Sequence, residues 1–463
     1  MLSPRDRLLA ALFAFQLAVA AVLGVFLVNG LRDDHNKPAT VTQVQGGSGG
    51  GAVSGPTSGP TQSAAPGTSA KPGTGGTTVV TTSGPLTGPT VPPAKADNNV
   101  LAAGAPIKVG AVVSQTGAIN FASSAQATKA YFDMVNRAGG VNGHKIILDL
   151  RDDQLDQPRG KAQAQQMVND GVFAFTGWNA PNTENGIVPF LEQNKIPLIG
   201  GYGERAEYHS SYSFIFSASY GHYGYEMGQF LAEQGVKKPG LVFISNNEST
   251  ADANLVKAFK AGFASKGVTL SDGDVLPEDV THPNYDDVVT QFRLDGVDGF
   301  ASLLDQTAYN RLLQSQARQS YFPKHAADSL FVDPSVQQSS KTDGVFVATD
   351  YDFIDGGGPE VQKYVSTVKA AYGSQAQINY FGEQGWVDAA VFVAAVKAMG
   401  TTITRANLLK VMDHLDGKGG FGFTSDLTFA PGNRDVNRCI KFGKVVGGKV
   451  NRVTDWRCDG QPF

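Results

Sequence analysis

The sequence predicts an α/β protein in which two doubly wound lobes of parallel sheet follow an apolar N-terminal helix and a low-complexity linker. Three observations predict this fold class. Buried apolar runs alternate with helical patterns from residue 105 onward, the alternation starts again after about residue 218, and residues 33–104 consist almost entirely of Gly, Ser, Thr, Pro, Ala, Val and Gln. The chain of 463 residues is long enough for two such lobes.

The first predicted element is an apolar helix over residues 8–28, which contains one polar side chain. Its length matches the roughly 30 Å hydrocarbon core of a bilayer. Arg5 and Arg7 precede it and acidic residues follow it, so the N-terminus is predicted to stay in the cytoplasm and the folded body outside. We therefore predict a single-pass membrane anchor over residues 1–32. A cleaved signal peptide is the alternative, because residues 18–20 (AVA) resemble a cleavage site.

The next segment, residues 33–104, is predicted to be a disordered linker. Its composition offers too little apolar surface to offset the entropy that the chain would lose on ordering. As a flexible coil of about 70 residues, it would hold the folded body at an r.m.s. distance of roughly 45–50 Å from its anchor.

The folded part begins with a series of strand–helix units. The predicted strands of the first half are IKVGAVVS (107–114), the run around IILDL, VFAFTG and IPLIG. A second series begins with the helix HYGYEMGQFLAEQGV, and PGLVFIS and VDGFASLL are its buried strands. Near the end, GWVDAAVFVAAVKAMG (385–400) is apolar on most faces and is predicted to be a helix that is covered on most sides. Strands separated by helices predict parallel sheets with right-handed crossovers.

The two cysteines of the chain, Cys439 and Cys458, flank a predicted hairpin. Apolar residues alternate on both sides of Gly447-Gly448, which is a turn signal. A tight turn there places the two cysteines nearly opposite each other, and on the outside of a cell they are predicted to form a disulfide. The alternative is a pair of free thiols.

Composition and motifs argue against nucleic-acid binding and against catalysis. The net charge is −4 and no long run of Lys or Arg occurs, so nucleic acid is not an expected partner. The sequence contains no G-x-S-x-G, H-E-x-x-H or P-loop motif, and its seven histidines are scattered. The neighbours Asp152 and Asp153 are predicted to lie in a solvated turn. We therefore predict a protein that is not an enzyme and that uses no cofactor and no metal.

The segment GGYGERAEY (200–208) matches a loose dinucleotide-binding pattern. That motif requires a helix directly after the glycines and an acidic residue at the tip of the next strand. The stretch YHSSYSFIFSAS follows instead and ends without an acid. The loop is therefore predicted to form the rim of a ligand pocket, where its backbone N–H groups approach the ligand.

Ligands of open α/β sheets bind beyond the carboxyl ends of the strands, so we expect ligand-binding residues where the predicted strands end or where a helix begins beside the cleft. The helix that begins after Trp178 has free N–H groups that suit a carboxylate or another anion. Aromatic side chains near the same loops suit an amide or an aromatic acid. The candidate ligand-binding residues are Gln115, Thr116, Trp178, Asn179, Asn182, Thr183, Gly201, Tyr202, Tyr223, Asn246, Asp305 and Asp328.

Several of these candidates have a structural alternative. Trp178 is also expected in a hydrophobic core. Asn182 and Thr183 suit a helix start, and Asp305 and Asp328 suit helix caps or surface carboxylates.

Several short motifs in the sequence resemble those of a known family. The loop SQTG after the first strand, together with VNRAGGVNG, DDQLDQP, IPLIG and DGVFVATDYD, resembles the type I periplasmic-binding-protein family of branched-chain amino-acid and amide ABC transporters. The resemblance covers nearly all of residues 106–459. It implies two lobes joined by three crossings that act as a hinge, near residues 215–219, 345–350 and 425–430. The implied lobes are residues 105–217 with 350–427 and residues 218–349 with 428–463.

The resemblance also implies a function. It implies an extracytoplasmic solute-binding protein that captures a small polar ligand, such as an amino acid or an amide, between its lobes and delivers it to an ABC permease. The loops at 179–183 and 201–203 would hold the ligand carboxylate, and Asp328 would hold the ammonium group. WNAPNT replaces the family's serine-rich run, which keeps an amide or an aromatic acid open as the ligand. The alternative function is a membrane-tethered ligand sensor for a signalling partner.

Overall fold

The structure, a computed structural model, describes residues 90–117, 119–203, 205–245, 249–279, 282–329 and 340–460. The predicted anchor at 1–32 and most of the predicted linker lie outside these residues. Within the described ranges, no helix is long and apolar enough to cross a membrane.

Strands and helices alternate along most of the described chain. The strands are β1 (Ile107–Val112), β2 (Ile146–Arg151), β3 (Ala174–Thr176), β4 (Leu198–Ile199), β5 (Ser213–Phe214), β6 (Pro239–Ile244), β7 (Val275–Glu278), β8 (Gly299–Leu303), β9 (Lys324–Asp328), β10 (Phe346–Thr349), β11 (Lys441–Val446) and β12 (Lys449–Arg452). The α-helices are α1 (Ala122–Arg137), α2 (Gln157–Asn169), α3 (Pro181–Asn194), α4 (Arg205–Tyr208), α5 (Tyr220–Glu233), α6 (Ser249–Ala264), α7 (Asp286–Asp295), α8 (Gln306–Gln319), α9 (Pro359–Tyr372), α10 (Tyr380–Ala398) and α11 (Arg405–Met412).

Lobe 1 is built on a parallel sheet with the strand order β2-β1-β3-β4-β5. Side chains of β1 point to opposite faces of this sheet because successive strand residues alternate. Val109 and Ala111 belong to the core that includes α1 and α10, whereas Val112 packs in a second core with Met167 of α2 and Ile187 of α3. Helices therefore cover both faces of the sheet, and the predicted doubly wound lobe is confirmed.

Lobe 2 is built on a sheet with the strand order β12-β11-β10-β9-β8-β6-β7, which is parallel from β10 to β7. Leu241 and Phe243 of β6 pack with Phe259 of α6 on one face. Val242 packs with Leu312 of α8 on the other face. The second predicted parallel-sheet lobe is therefore confirmed, with an antiparallel hairpin, β11–β12, added at one edge.

The predicted apolar helix at 385–400 is α10, and it is covered on most sides. Trp386 and Val391 are buried in the lobe 1 core. The helix begins earlier than predicted because the Asn379 side chain caps it, accepting a hydrogen bond from the Gly382 N–H (3.2 Å). The additional first turn, which begins at Tyr380, reaches the region between the lobes.

The predicted hairpin and disulfide at the C-terminal end are both confirmed. Gly447 and Gly448 have φ values of 58° and 76° between β11 and β12, which is the conformation that a two-residue hairpin loop requires. Cys439 and Cys458 are joined by a disulfide. Arg457, next to Cys458, pairs with carboxylates of α5, which fixes the segment after the hairpin to lobe 2.

We expect the disulfide to stabilise the protein by about 3 kcal/mol, because it closes a loop of roughly 20 residues in the unfolded chain. The measurement is urea unfolding of the full chain with and without a thiol reductant. The double variant Cys439→Ser/Cys458→Ser is the control, since reductant has no bond to break there. Equal unfolding midpoints for the reduced and oxidised wild-type protein would contradict the prediction.

The predicted linker boundary at residue 104 is wrong, because residues 90–104 lie against lobe 1. The Val91 N–H donates to Gly432 O (2.8 Å), and Asp97 forms an ion pair with Arg405 (3.0 Å). Several of these contacts are made by the backbone, which the composition of the segment does not reveal. Residues 90–104 therefore belong to the folded body.

Candidate ligand-binding site

Three segments connect the lobes, and they meet at Asn437. Its Nδ2 donates to Phe216 O (3.0 Å) in the crossing from β5 to α5 and to Asp350 O (3.3 Å) in the crossing from β10 to α9. These two crossings lie at or next to the predicted positions. The third lies beyond the predicted 425–430 segment, because Arg434 is buried on lobe 1 and donates to two carbonyl oxygens there. The chain therefore returns to lobe 2 later than residue 428.

Asp350 connects both lobes to the hinge. Its Oδ1 accepts hydrogen bonds from Tyr223 Oη of α5 (2.7 Å) and Tyr380 Oη of α10 (2.9 Å), and its Oδ2 accepts one from the Ala218 N–H (2.6 Å). Burial raises the pKa of Asp350 to about 6, although these hydrogen bonds oppose that shift. Tyr223, predicted to contact ligand, is thus part of this hinge cluster.

The loop after β1 is held by the acidic pair that follows β2. Ser114 Oγ donates to Asp153 Oδ1 (2.6 Å), and Thr116 Oγ1 donates to Asp152 Oδ2 (2.6 Å). The Gln115 N–H donates to Asp152 Oδ1 (2.9 Å). Asp153 is fully buried, so the prediction of a solvated turn is wrong for Asp153, whereas Asp152 is partly exposed. The hydrogen-bond donors of residues 114–116 are therefore bound to carboxylates of the protein itself.

Thr183 has the same kind of partner, since its Oγ1 donates to Asp153 Oδ2 (2.6 Å). We expect Thr183→Val to lower the free energy of unfolding by about 2–3 kcal/mol, because it removes a donor from a buried carboxylate. Thr183→Ser keeps the hydroxyl and is the matched control. Chemical denaturation of both variants tests this, and equal losses in the two would contradict a structural role for the hydroxyl.

The remaining candidates after β3 also take structural positions. Trp178 is fully buried in the core between the sheet and α2 and α3, where its ring meets Phe175 edge to face, so the predicted pocket position is wrong. Asn179 is fully buried and its Nδ2 donates to Ser124 Oγ (2.9 Å). Asn182 is exposed and donates to a backbone carbonyl of the loop before α2.

The glycine-rich loop after β4 is oriented differently from the prediction. The Tyr202 N–H donates to Glu184 Oε1 (3.1 Å), and the Gly203 N–H donates to Glu207 Oε2 (3.2 Å) and Glu184 Oε2 (3.3 Å). The Gly201 carbonyl accepts a hydrogen bond from Gln384 Nε2 of α10 (2.8 Å). The prediction that the backbone N–H groups of this loop approach the ligand is therefore wrong for Tyr202 and Gly203, whose N–H groups point to the carboxyl groups of Glu184 and Glu207 inside lobe 1.

Glu184 is one of three buried carboxyl groups behind this loop, with Glu207 and Asp388. Burial and then the charge of Glu207 raise the pKa of Glu184 well above its ordinary value. Burial and then the charge of Glu184 raise the pKa of Asp388 in the same way. Glu184 and Asp388 therefore favour the protonated form, in which a carboxyl can also donate a hydrogen bond.

The Tyr202 side chain packs within lobe 1, close to the N-terminal turn of α10. It stacks with Phe381 at a centroid distance of 6.3 Å and meets Phe121 edge to face at 5.6 Å. Its side chain is 9% exposed. Tyr202 therefore presents little surface to a ligand in this arrangement of the lobes.

The lobe 2 candidates divide into three cases. Asp305 caps α8, because its Oδ1 accepts hydrogen bonds from the Thr307 and Ala308 N–H groups (2.8 and 3.0 Å), as its structural alternative predicts. Asp328 ends β9 and is almost completely buried, near enough to Tyr223 for its charge to raise the pKa of that tyrosine further after burial. Asn246 lies outside the described residues.

A cavity of about 100 Å³ lies between elements of the two lobes, beside the second crossing. Its polar lining comes from the ends of β9 and β10, the crossing itself and the start of α10, and consists of Ser329, Thr349, Asp352, Asp355, Asn379, Tyr380 and Glu383. Its apolar wall contains Val347, Phe353, Ile354 and Val450. The cavity combines apolar walls with a few polar groups, as small-molecule sites do, but it is smaller than the roughly 300–1,000 Å³ typical of them.

Sequence reasoning missed the residues that join the lobes and line this cavity. Asp350 and Asp352 directly follow β10 in DGVFVATDYD, so the strand-end rule that selected Asp328 applies equally to them. Tyr380 and Glu383 had no such signal, because a helix start that approaches from another part of the chain is not visible in local patterns.

Fold, hinge and interlobe cavity define a two-lobe binding protein. Residues 106–449 match the family described as periplasmic binding protein. The chain therefore belongs to the periplasmic binding protein family, and the predicted resemblance is confirmed. A curated relative, Leu/Ile/Val-binding protein homolog 3 of Brucella melitensis, is 26% identical over 100 residues, which span 21% of this chain and 27% of that relative.

Solved structures share the fold at low sequence identity. A fatty acid ABC transporter substrate-binding protein from Thermomonospora curvata has a TM-score of 0.67 at 18% identity, with 80% of this chain and 96% of that chain covered. A branched-chain amino acid ABC transporter protein from Thermus thermophilus with bound valine has a TM-score of 0.66 at 15% identity, covering 77% and 97%. A solute-binding protein from R. palustris in complex with benzoate has a TM-score of 0.65 at 17% identity, covering 77% and 99%. These neighbours are named as solute-binding or transport proteins, and their ligands differ widely.

Proposed function

We propose that the chain captures a small polar solute between its two lobes and delivers it to an ABC permease. The observation that carries this proposal is the hinge at Asn437, where three crossings run side by side between two separately folded sheets. Such a hinge allows two rigid lobes to close on a ligand. The cavity beside the second crossing is lined from both lobes, so its size changes when the lobes move.

The position of the protein is part of the same proposal. A folded body outside the cytoplasm, tethered to the membrane by the N-terminal segment, is supported by the Cys439–Cys458 disulfide, because disulfides persist in oxidising compartments. Protease treatment of spheroplasts, in which the inner membrane is intact and any outer barrier is removed, tests this location. Digestion of the folded body in spheroplasts is expected, and protection until the spheroplasts are lysed would contradict it.

The binding function is tested by mass spectrometry of small molecules released when the purified full chain is denatured. We expect one or a few solutes in stoichiometric amount, which raise the melting temperature when they are returned to the refolded protein. Binding at 100 times Kd stabilises the native state by about 2.7 kcal/mol, which a thermal-shift assay detects. Chemical conversion of the returned solute would contradict a purely binding function, and absence of any bound or stabilising solute would contradict capture.

A further inference from the structure

The interlobe cavity has an acidic lining that Lys441 neutralises only in part. Glu383, in the first turn of α10, is 2% exposed. Among the residues that the structure describes, none forms a hydrogen bond to its Oε1, which is buried. Ser329 Oγ lines the same cavity and likewise has no partner there. A buried polar atom without a hydrogen-bond partner is costly, so Glu383 Oε1 and Ser329 Oγ point to a group that is supplied from outside the chain.

Two further carboxylates line the cavity on the side of the crossing. Asp355 Oδ2 has a single weak backbone contact, from the Val450 N–H at 3.4 Å. Asp352 is paired with Lys441, whose ammonium also lies over the rings of Phe353 and Trp456, 5.0 and 4.3 Å from their centroids. Lys441 thus shows how an ammonium group is held at the edge of this cavity, by a carboxylate and by aromatic faces.

The loops that would hold a ligand carboxylate have their donors engaged elsewhere. The hydroxyls of Thr116 and Thr183 bind Asp152 and Asp153, and the Tyr202 and Gly203 N–H groups face Glu184. A ligand carboxylate at these loops would meet buried acidic groups instead of free donors. The electrostatics of the described part of the cleft therefore disfavour an anion and favour a cation.

We propose that the interlobe cavity binds the cationic nitrogen of a small organic amine or guanidine, with Glu383 as its principal counter-ion and Asp355 and Ser329 as further acceptors. This inference rests on the proposed function and specifies its ligand class. Such a ligand differs from the carboxylic acid that the loops of lobe 1 were expected to hold. Tyr380 and Phe353 supply aromatic walls that suit such a group.

Cation binding should also release a proton. Burial, followed by the charge of Asp352, raises the pKa of Glu383 well above its ordinary value, and Asp350 adds to this while Lys441 opposes it. Tyr364 of α9 also faces Glu383. A bound cation favours the ionised carboxylate, so affinity should increase as the pH rises from the acidic side. Calorimetry in two buffers with different ionisation enthalpies measures the released proton directly.

The experiment compares three probes of matched length, butylamine, 4-aminobutanoate and butanoate, by thermal shift and calorimetry on the full chain. We expect butylamine to bind and to release a proton, and butanoate not to bind. Glu383→Gln should weaken butylamine binding at least tenfold and abolish the proton release. Glu360→Gln is the control, because Glu360 is a half-exposed carboxylate on α9 that is paired with Lys363.

Several outcomes would overturn this inference. Binding of butanoate in preference to butylamine would do so, as would full butylamine affinity in Glu383→Gln or no binding of any probe at millimolar concentration. If the solute released from the purified protein is then a carboxylic acid without a basic nitrogen, the cation site is refuted while solute capture stands. If no solute is released and no probe binds, the proposed function fails as well.

Discussion

Gly200→Ala is expected to lower the free energy of unfolding by about 3–5 kcal/mol, enough to unfold much of the protein at moderate temperature. Gly200 has a φ of +81°, where an L-residue costs about 1–2 kcal/mol. A Cβ atom built there would lie 2.0 Å from Asp388 Cγ, which is buried in α10. The backbone cannot move away easily, because the Gly200 N–H donates to Phe214 O (2.7 Å) between neighbouring strands.

The matched control for this variant is Gly344→Ala. Gly344 has a similar φ of +91°, but no heavy atom lies within 4 Å of a Cβ built there. This control should therefore lose only the backbone cost of about 1–2 kcal/mol. Urea unfolding of both variants separates the steric overlap from the backbone cost. Equal losses would contradict the close contact between the glycine loop and Asp388.

Asp350→Ala is expected to cost about 3–5 kcal/mol, because it leaves three buried donors without their acceptor. These donors are the hydroxyls of Tyr223 and Tyr380 and the Ala218 N–H. Asp350→Asn should cost far less, since the amide oxygen can accept from the Ala218 N–H while the amide group donates to the tyrosine oxygens. Chemical denaturation ranks the variants, and an Asn variant as unstable as the Ala variant would contradict this geometry.

The stability difference between the wild-type protein and Asp350→Asn is expected to depend on pH. The pKa of Asp350 is about 6 in the folded protein and 3.8 in its ordinary environment, so the native state binds this proton more tightly than the unfolded chain. Its contribution to stability is complete below pH 4 and is lost as the pH rises to about 6, a total of about 3 kcal/mol. In Asp350→Asn this titration is absent. The stability difference between wild type and Asp350→Asn should therefore decline over that range, and a constant difference would contradict the raised pKa.

The sequence predicted the two-lobe fold because that fold depends on local patterns. Apolar runs such as residues 107–114 form strands, and the alternation with helices leaves few topologies for parallel sheets. Local patterns did not predict that residues 90–104 belong to the folded body. Residues 90–104 are held by backbone hydrogen bonds, by the ion pair of Asp97 with Arg405 and by a few apolar side chains such as Leu101, which do not form a strand or helix pattern.

The sequence predicted which loops lie at the strand ends, but it did not predict the hydrogen-bond partners of their side chains. Thr116 and Thr183 lie at strand ends, as the rule for open sheets requires, but their hydroxyls bind the carboxylates of Asp152 and Asp153. No local pattern shows whether a polar side chain faces a ligand or a carboxylate that is distant in sequence. For the same reason Glu383, which reaches the cavity from α10, was not selected.

Hydrogen exchange of the full chain, with and without the solute released from it, tests most directly whether the ligand is held between the lobes. If the solute binds between the lobes, it protects residues 345–358 at the second crossing and 379–390 at the start of α10 together. Helix α7 (Asp286–Asp295), which packs on the lobe 2 sheet and does not line the cavity, should keep its exchange rate. Protection confined to one lobe, or no change at either segment, would contradict capture between the lobes.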